Sequence, residues 1–293
     1  MFKTIKALFI AIRFKTLIAS ISPVAIGSTL SFKYGAFNFK IFLFTLLASI
    51  FIQIGTNFAN DVYDYLKGAD GDDRLGPTRA VQSQLISVGQ MKLLTVMSFF
   101  FSILCGLPLV LKGGYPILLI GVLGVISGYL YTAGPYPLGY NGWGDFFVFC
   151  FFGPIAVCGT YYLQNNLVSA SSIISGVILG SLSTSLLCVN NIRDVETDSE
   201  AGKRTLAVRI SSSFVKKIFV FLLLLSYLLN LYLLYSLSLL NIGFILFLLM
   251  AYPCFKMMFD IYGLKGKNLN LLLARVASYI FIYSIVFIFT LLI

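Results

Sequence analysis

Residues 57–79 read NFANDVYDYLKGADGDDRLGPTR. They close an apolar stretch that begins near position 40, and they hold five of the 11 acidic residues in the chain: Asp61, Asp64, Asp70, Asp72 and Asp73. The chain has 293 residues, is 59% hydrophobic and has a mean hydropathy of +0.94, so carboxylates are scarce and crowding them at one segment end demands a reason. Ionisable groups beside a membrane-length segment are costly, and by default they mark a site.

The surroundings of this stretch decide the fold. Only 11% of residues are charged, too few to coat a water-facing surface. Apolar segments of about 18 residues or more, long enough to cross the hydrocarbon core as helix, recur along the chain. Nine spans are expected, at 16–35, 40–60, 93–111, 115–132, 145–163, 169–191, 214–235, 239–258 and 273–293. None shows the two-residue alternation of a membrane barrel. The fold class predicted is therefore all-α integral membrane: nine transmembrane helices around a central cavity open to the cytoplasmic side, in one domain over 1–293. The opening MFKTIKALFIAIRFKT lacks a small-residue cleavage site after its apolar patch, so 1–15 is expected to be an interfacial lead-in helix.

Basic residues orient the bundle. With a cytoplasmic N-terminus, the inner segments collect Lys3, Lys6, Arg13, Lys15, then Lys67, Arg74, Arg79, Lys92. Further along they collect Arg193, Lys203, Arg204, Arg209, Lys216, Lys217, and finally Lys256, Lys265, Lys267, Arg275. Only Lys33, Lys40 and Lys112 fall outside, a split of 18 to three that matches the positive-inside rule and puts the C-terminus outside. The net charge of +10 is then topology signal, and no nucleic-acid partner is called for. The five cysteines stand singly in apolar segments, as buried small hydrophobes do, and the absence of histidine removes imidazole as base or ligand. Motif loops 61–92 and 192–213 lie on the cytoplasmic side.

A second acidic group, Asp194, Glu196, Asp198 and Glu200, follows the sixth span. Four crossings separate it from the first, so both return to the same face and can meet across one cavity. At about 100° per residue, Asn57, Asn60, Asp61 and Asp64 share a helix face, as do Asn190, Asn191, Asp194 and Asp198. Two facing oxygen-rich stripes would repel unless they held a hard cation such as Mg²⁺, Ca²⁺ or Mn²⁺. Lys67, Arg74 and Arg79 follow the first group, and Lys203 and Arg204 the second, which suits an anion such as diphosphate. The bland alternative is a pair of solvated loops, and Asp72, Asp73, Glu196 and Glu200 suit that reading best.

The residues N60-D61-V-Y-D64 and N190-N191-I-R-D194-V-E-T-D198-S-E-A-G202-K203-R204-T205 resemble the UbiA-type superfamily of intramembrane prenyltransferases over essentially the whole chain. The stretch 57–79, RFKTLIASISPVAIG from Arg13, and YTAGPYPLGYNGWGDFFVFCFFGP from Tyr131 are similar to the branch that prenylates 1,4-dihydroxy-2-naphthoate for menaquinone. Two departures stand out. Phe14 replaces a usual proline, and the wider superfamily's third motif aspartate falls on Gly68, leaving Asp70 as its nearest substitute. Gly68 itself is similar to the naphthoate branch.

The resemblance implies Mg²⁺, with Mn²⁺ as the other candidate, held on a polyprenyl diphosphate by Asn60, Asp64, Asp194 and Asp198, with Asp70 as a further ligand. Asp61, Asp64, Asp194 and Asp198 become the catalytic carboxylates, although Asp61 could instead orient a Lys or Arg. Diphosphate contacts fall to Lys67, Arg74, Arg79, Lys203 and Arg204. The aromatic acceptor is expected near Asn57, Asn190, Asn191, Tyr131, Tyr136, Tyr140 and Asp145, with an aromatic belt at the interface as the competing role of the tyrosines. Arg13 and Lys15 could meet the acceptor carboxylate, but surface anchoring suits them better. The expected reaction joins the prenyl group to the acceptor with loss of CO₂ and diphosphate, which spares the enzyme a base for the ring proton. The implied setting is a bacterial cytoplasmic membrane, with lipid beside the prenyl tail. A sibling acting on 4-hydroxybenzoate or homogentisate is the alternative, and a cation or phosphate transporter a remote one. Against transport, every carboxylate sits on one side. Prenyl length and oligomeric state depend on three-dimensional shape and are not read from the chain.

Overall fold

The computed structural model describes residues 2–71 and 74–293, with side chains from Lys6 onward. Asp72 and Asp73 lie outside the described residues. Helix α1 (Phe2–Ile12) meets α2 (Phe14–Lys33) at a 50° bend, with Arg13 in the left-handed region between them at φ 55°, ψ 63°. Next come α3 (Phe39–Leu66), α4 (Val88–Leu130), α5 (Gly144–Phe151) and α6 (Pro154–Asn165). The chain continues through α7 (Ala170–Arg193), α8 (Val195–Glu200), α9 (Leu206–Arg209) and α10 (Ser212–Ser236). It finishes with α11 (Ile242–Leu249), α12 (Ala251–Gly263) and α13 (Leu269–Leu292).

The starts of the long helices are written in side chains. Asn38 accepts hydrogen bonds from the amides of Lys40 and Ile41, and Ser211 from that of Phe214. Ser87 with Gln90, and Ser169 with Ser172, form reciprocal capping boxes. These caps satisfy donors that neither helix nor lipid could.

Seven helices or helix pairs of the described residues are long and apolar enough to cross a membrane, or eight if the bent α1–α2 pair is one span. The sequence reading expected nine. The difference lies at α4, where expected spans 93–111 and 115–132 run together through 43 residues, interrupted at Gly114 (φ 67°, ψ −154°) between Pro108 and Pro116. Two other expected spans are broken helices: 145–163 became α5 and α6, parted at Gly153, and 239–258 became α11 and α12. All these elements are helical, so the all-α membrane class holds.

The bundle centres on α7. It packs on α2, α5, α6, α10 and α13, and 72% of its apolar window is buried. Lipid tails are as apolar as leucine, so helices inside a bilayer associate by close approach of small residues. Ser175, Gly176, Gly180, Ser181, Ser183, Thr184 and Ser185 provide that surface on α7. The break between α5 and α6 presses against it: a Cβ on Gly153 would lie 2.5 Å from the Gly176 carbonyl, and one on Gly176 would lie 2.6 Å from Pro154 Cα. The second acidic motif thus leaves from the end of the best-enclosed helix.

Candidate active site

A cavity of about 1170 Å³ opens between α2, α3, α4, α6 and α7. One end is polar, lined by Asn60, Asp64, Arg74, Arg79, Asn190, Asn191, Arg193 and Lys203. The other is apolar, with Leu107, Val110, Ile117, Leu118 and Ile155 on its wall. Residues of both acidic motifs therefore converge on one chamber.

The first motif divides its side chains. Asp64 is buried, accepts a hydrogen bond from the Tyr140 hydroxyl at 2.9 Å, and pairs with Arg79 Nη2 at 3.3 Å. Asn60 Oδ1 accepts from Thr132 Oγ1 at 2.8 Å. Asp61, 1% exposed, faces away from the chamber and takes the backbone amides of Ala80 and Val81 at 3.1 and 2.9 Å. It anchors the loop that delivers Arg79, so the expectation that it lies with the chamber carboxylates is corrected. Asn60 and Asp61 lie about 100° apart on the helix, which explains how a single stripe splits. Asn57 lines the chamber, but its amide donates to the Ile12 carbonyl (2.8 Å) and Thr16 Oγ1 (2.9 Å), splinting the α1–α2 bend.

Asp70 is buried between two guanidinium groups. It pairs with Arg74, and its Oδ2 lies 3.1 Å from Arg79 Nε without hydrogen-bond alignment. Burial, with the Asp64 charge beside it, pushes its carboxyl up to about 7 against the pull of Arg74 and Arg13. This geometry makes Asp70 a holder of cations, set back from the chamber wall as Asp194 and Asp198 also are.

In the second motif, both Asp194 oxygens accept from the guanidinium of its neighbour, Arg193. Asp198 pairs with Lys203 at 3.3 Å through Oδ1, while its buried Oδ2 has no partner. Burial pushes the Asp198 carboxyl up to about 6, with Lys203 opposing. For Lys203 burial acts downward, but Asp64, Asp198 and Asp194 outweigh it and the net shift is upward. Among the described residues no three carboxylate, cysteine or histidine groups converge as a ready-made metal cage. Mg²⁺ needs none: it uses one or two carboxylates and fills its shell with water and substrate phosphate. The unsatisfied Asp198 oxygen, in a set of hard oxygen donors, fits such an ion.

The five expected diphosphate cations divide between two places. Arg74, Arg79 and Lys203 line the chamber. Lys67 and Arg204 line a separate, shallower pocket on the far side of Tyr140, which corrects the expectation of one basic cluster. Lys67 donates to the Thr132 carbonyl at 2.6 Å, and burial lowers its pKa against the pull of Asp64. The Tyr140 ring lies between Lys67 (4.6 Å) and Lys203 (5.5 Å) as a cation–π partner of both.

Of the expected acceptor contacts, Asn190, Asn191, Tyr131 and Asp145 line the chamber. Asn191 donates to Asp145 Oδ2 at 3.4 Å, and the Cys188 thiol lies 3.8 Å from its Oδ1. Tyr140 touches the chamber only through its hydrogen bond to Asp64. Tyr136 is 57% exposed and does not reach it, which corrects that assignment. The sequence reading missed two groups. Arg193 and Asn270 line the chamber, the former signalled only by its place next to Asp194. Arg13, weighed as a contact of the acceptor carboxylate but preferred as a surface anchor, also lines it, with a buried Nη2 that has no partner.

Residues 20–285 match the UbiA prenyltransferase family. The chain is 37% identical over 206 residues to the 1,4-dihydroxy-2-naphthoate octaprenyltransferase of Haemophilus influenzae, covering 68% of this chain and 67% of that one. It is 37% identical to the enzyme of the same name from Mycobacterium tuberculosis, covering 70% of each. In structure it is similar to a UbiA homolog from Archaeoglobus fulgidus solved with DMAPP and Mg²⁺, at a TM-score of 0.66 and 17% identity, covering 98% of this chain and 99% of that one.

Proposed function

Since the chain belongs to the UbiA prenyltransferase family, we propose that it transfers a polyprenyl group from polyprenyl diphosphate to 1,4-dihydroxy-2-naphthoate, releasing diphosphate and CO₂ and giving demethylmenaquinol. The observation that carries this reading is the chamber itself. Asp64 and the cationic groups of both motif regions, Arg74, Arg79, Arg193 and Lys203, crowd one end of a cavity whose remaining wall is apolar.

The reaction is a substitution at the first prenyl carbon. Its C–O bond breaks, the diphosphate leaves with the electron pair, and the ring carbon bearing the carboxylate forms the new C–C bond. Loss of CO₂ returns its bonding pair to the ring, so no base is needed for a ring proton. Mg²⁺, held by Asn60, Asp64, Asp194 and Asp198, would neutralise charge on the leaving group. Arg74, Arg79 and Lys203 are fixed donors for the same oxygens. Asp70 and Asp61 serve them indirectly, one by clamping guanidinium groups, the other by holding the loop. Tyr131 and Asp145, beside Asn190 and Asn191, form the polar wall suited to the acceptor, and unpartnered Arg13 suits its carboxylate. The apolar wall takes the tail and keeps water from the developing allylic cation.

In the membrane, α4 serves as two crossings turned at Gly114. Forty-three residues of straight helix would measure about 65 Å, twice the roughly 30 Å core. That gives nine spans and, with the basic-residue asymmetry, a cytoplasmic N-terminus and chamber mouth in a bacterial inner membrane. The test is turnover by purified protein supplied with labelled octaprenyl diphosphate, Mg²⁺ and an acceptor panel. Prenylation of dihydroxynaphthoate with CO₂ release is expected. Release from 4-hydroxybenzoate alone, or no diphosphate release at all, would defeat the reading.

A further inference from the structure

Asp194 is placed to hold a metal, yet it does not line the chamber; Arg193 does. Its guanidinium takes both Asp194 oxygens, through Nε at 2.7 Å and through Nη2. Two neutral acceptors hold the rest of the group: Nη1 donates to Asn270 Oδ1 at 2.7 Å and Nη2 to Asn190 Oδ1 at 2.8 Å. The same cluster seats the first-motif loop. Asn270 donates to the Leu75 carbonyl at 2.9 Å, and a Cβ on Gly76 would lie 2.9 Å from Arg193 Nη2 and 3.0 Å from Arg74 Nη2. Two guanidinium groups thus rest against one backbone position.

Resting on the prenyl diphosphate reading, we propose that Arg193 is a positioning residue that exchanges partners. Before substrate it masks Asp194. When the metal-bound diphosphate enters, the guanidinium turns to the phosphate oxygens, Asp194 is freed toward the metal, and the seated loop is drawn onto the ligand. The exchange replaces one charge-assisted pair by another, so no bare charge is left in the chamber. Asn190 and Asn270 keep the guanidinium in place throughout, because neither carries a charge that must be matched. A carboxylate saturated by guanidinium is a poor metal ligand.

The experiment measures Mn²⁺ binding by electron paramagnetic resonance in detergent, with and without a non-reactive prenyl thiodiphosphate, together with hydrogen exchange across residues 74–87. In Arg193→Gln, Mn²⁺ alone should bind several-fold more tightly than in wild type, because Asp194 is unmasked. The thiodiphosphate should bind about tenfold more weakly, and the loop should lose its ligand-induced protection. Arg193→Lys keeps the charge but not the two-pronged grip, and should move all three readouts the same way if the glutamine variant fails to fold. Asn270→Ala removes the hold on the Leu75 carbonyl and one of the neutral partners of Arg193, and should loosen the loop while shifting Mn²⁺ affinity less than either Arg193 variant. Unchanged or weaker Mn²⁺ binding in both Arg193 variants, with thiodiphosphate affinity intact, overturns the exchange. Failure of the wild type to bind thiodiphosphate with Mn²⁺ would instead defeat the prenyl diphosphate reading.

Discussion

The Tyr140 hydroxyl donates to Asp64 Oδ1 at 2.9 Å, tying a loop after α4 to the first acidic motif on α3 across 76 residues of chain. This bond fixes one Asp64 oxygen while Arg79 holds the other. Tyr140→Phe should keep the ring between Lys67 and Lys203 but release that oxygen. A hydrogen bond to a charged group contributes about 1.5–3 kcal/mol, so kcat/KM for the prenyl diphosphate should fall about tenfold to a hundredfold. Steady-state kinetics check it, with unchanged thermal stability as the control.

Asp61 and Asp64 are three residues apart and should behave differently. Asp64→Ala removes a chamber carboxylate and should cost activity about a thousandfold, the loss of several kcal/mol of leaving-group stabilisation, with little change in melting temperature. Asp61→Ala strands two buried amides, at about 1–3 kcal/mol each, and should lower the melting temperature first. Paired activity and thermal-shift assays separate the two. A stable but inactive Asp61 variant would return Asp61 to the chemistry.

Metal removal is a third test. Chelation should stop diphosphate release, and Mg²⁺ should restore it, because the described carboxylates form no cage of their own and depend on substrate phosphate to complete the shell. Metal titration should therefore show binding that strengthens when prenyl diphosphate is present.

The packing of the α5–α6 break on α7 is testable by a single methyl group. Gly153→Ala would place a carbon 2.5 Å from a backbone carbonyl and 2.6 Å from Gly180 Cα, neither of which can move aside as a side chain would. Overpacking of this kind costs about 1–3 kcal/mol. The melting temperature in detergent should drop, with activity per folded molecule less affected.

The two motifs and the membrane class were legible because scarcity made each carboxylate informative. Helical periodicity placed Asn60 and Asp64 toward a common cavity, and parity of crossings returned both motifs to one face. What stayed hidden depended on contacts outside a single helix. Asp61 shares the face of Asp64, yet its partners are the backbone amides of Ala80 and Val81, which no spacing rule announces. Tyr136 and Tyr140 stand in one loop, and only the fold buries one and exposes the other. Arg13 looked like an anchor because a basic residue before an apolar span usually is one. The 50° bend turns it inward instead. Hydropathy separated the two segments that meet at Gly114, but it reads segments and not the angle between them.

The burial of α7 also sets a mechanical asymmetry. Most of the outer helices carry exposed apolar faces, while α7 is wrapped by five neighbours. Changes in bilayer thickness or composition would tilt the outer helices first. The second motif hangs from the one element those tilts reach only at second hand. Half of the candidate site would thereby be insulated from the bilayer around it, and the half on α3 and its loop left to do the adjusting.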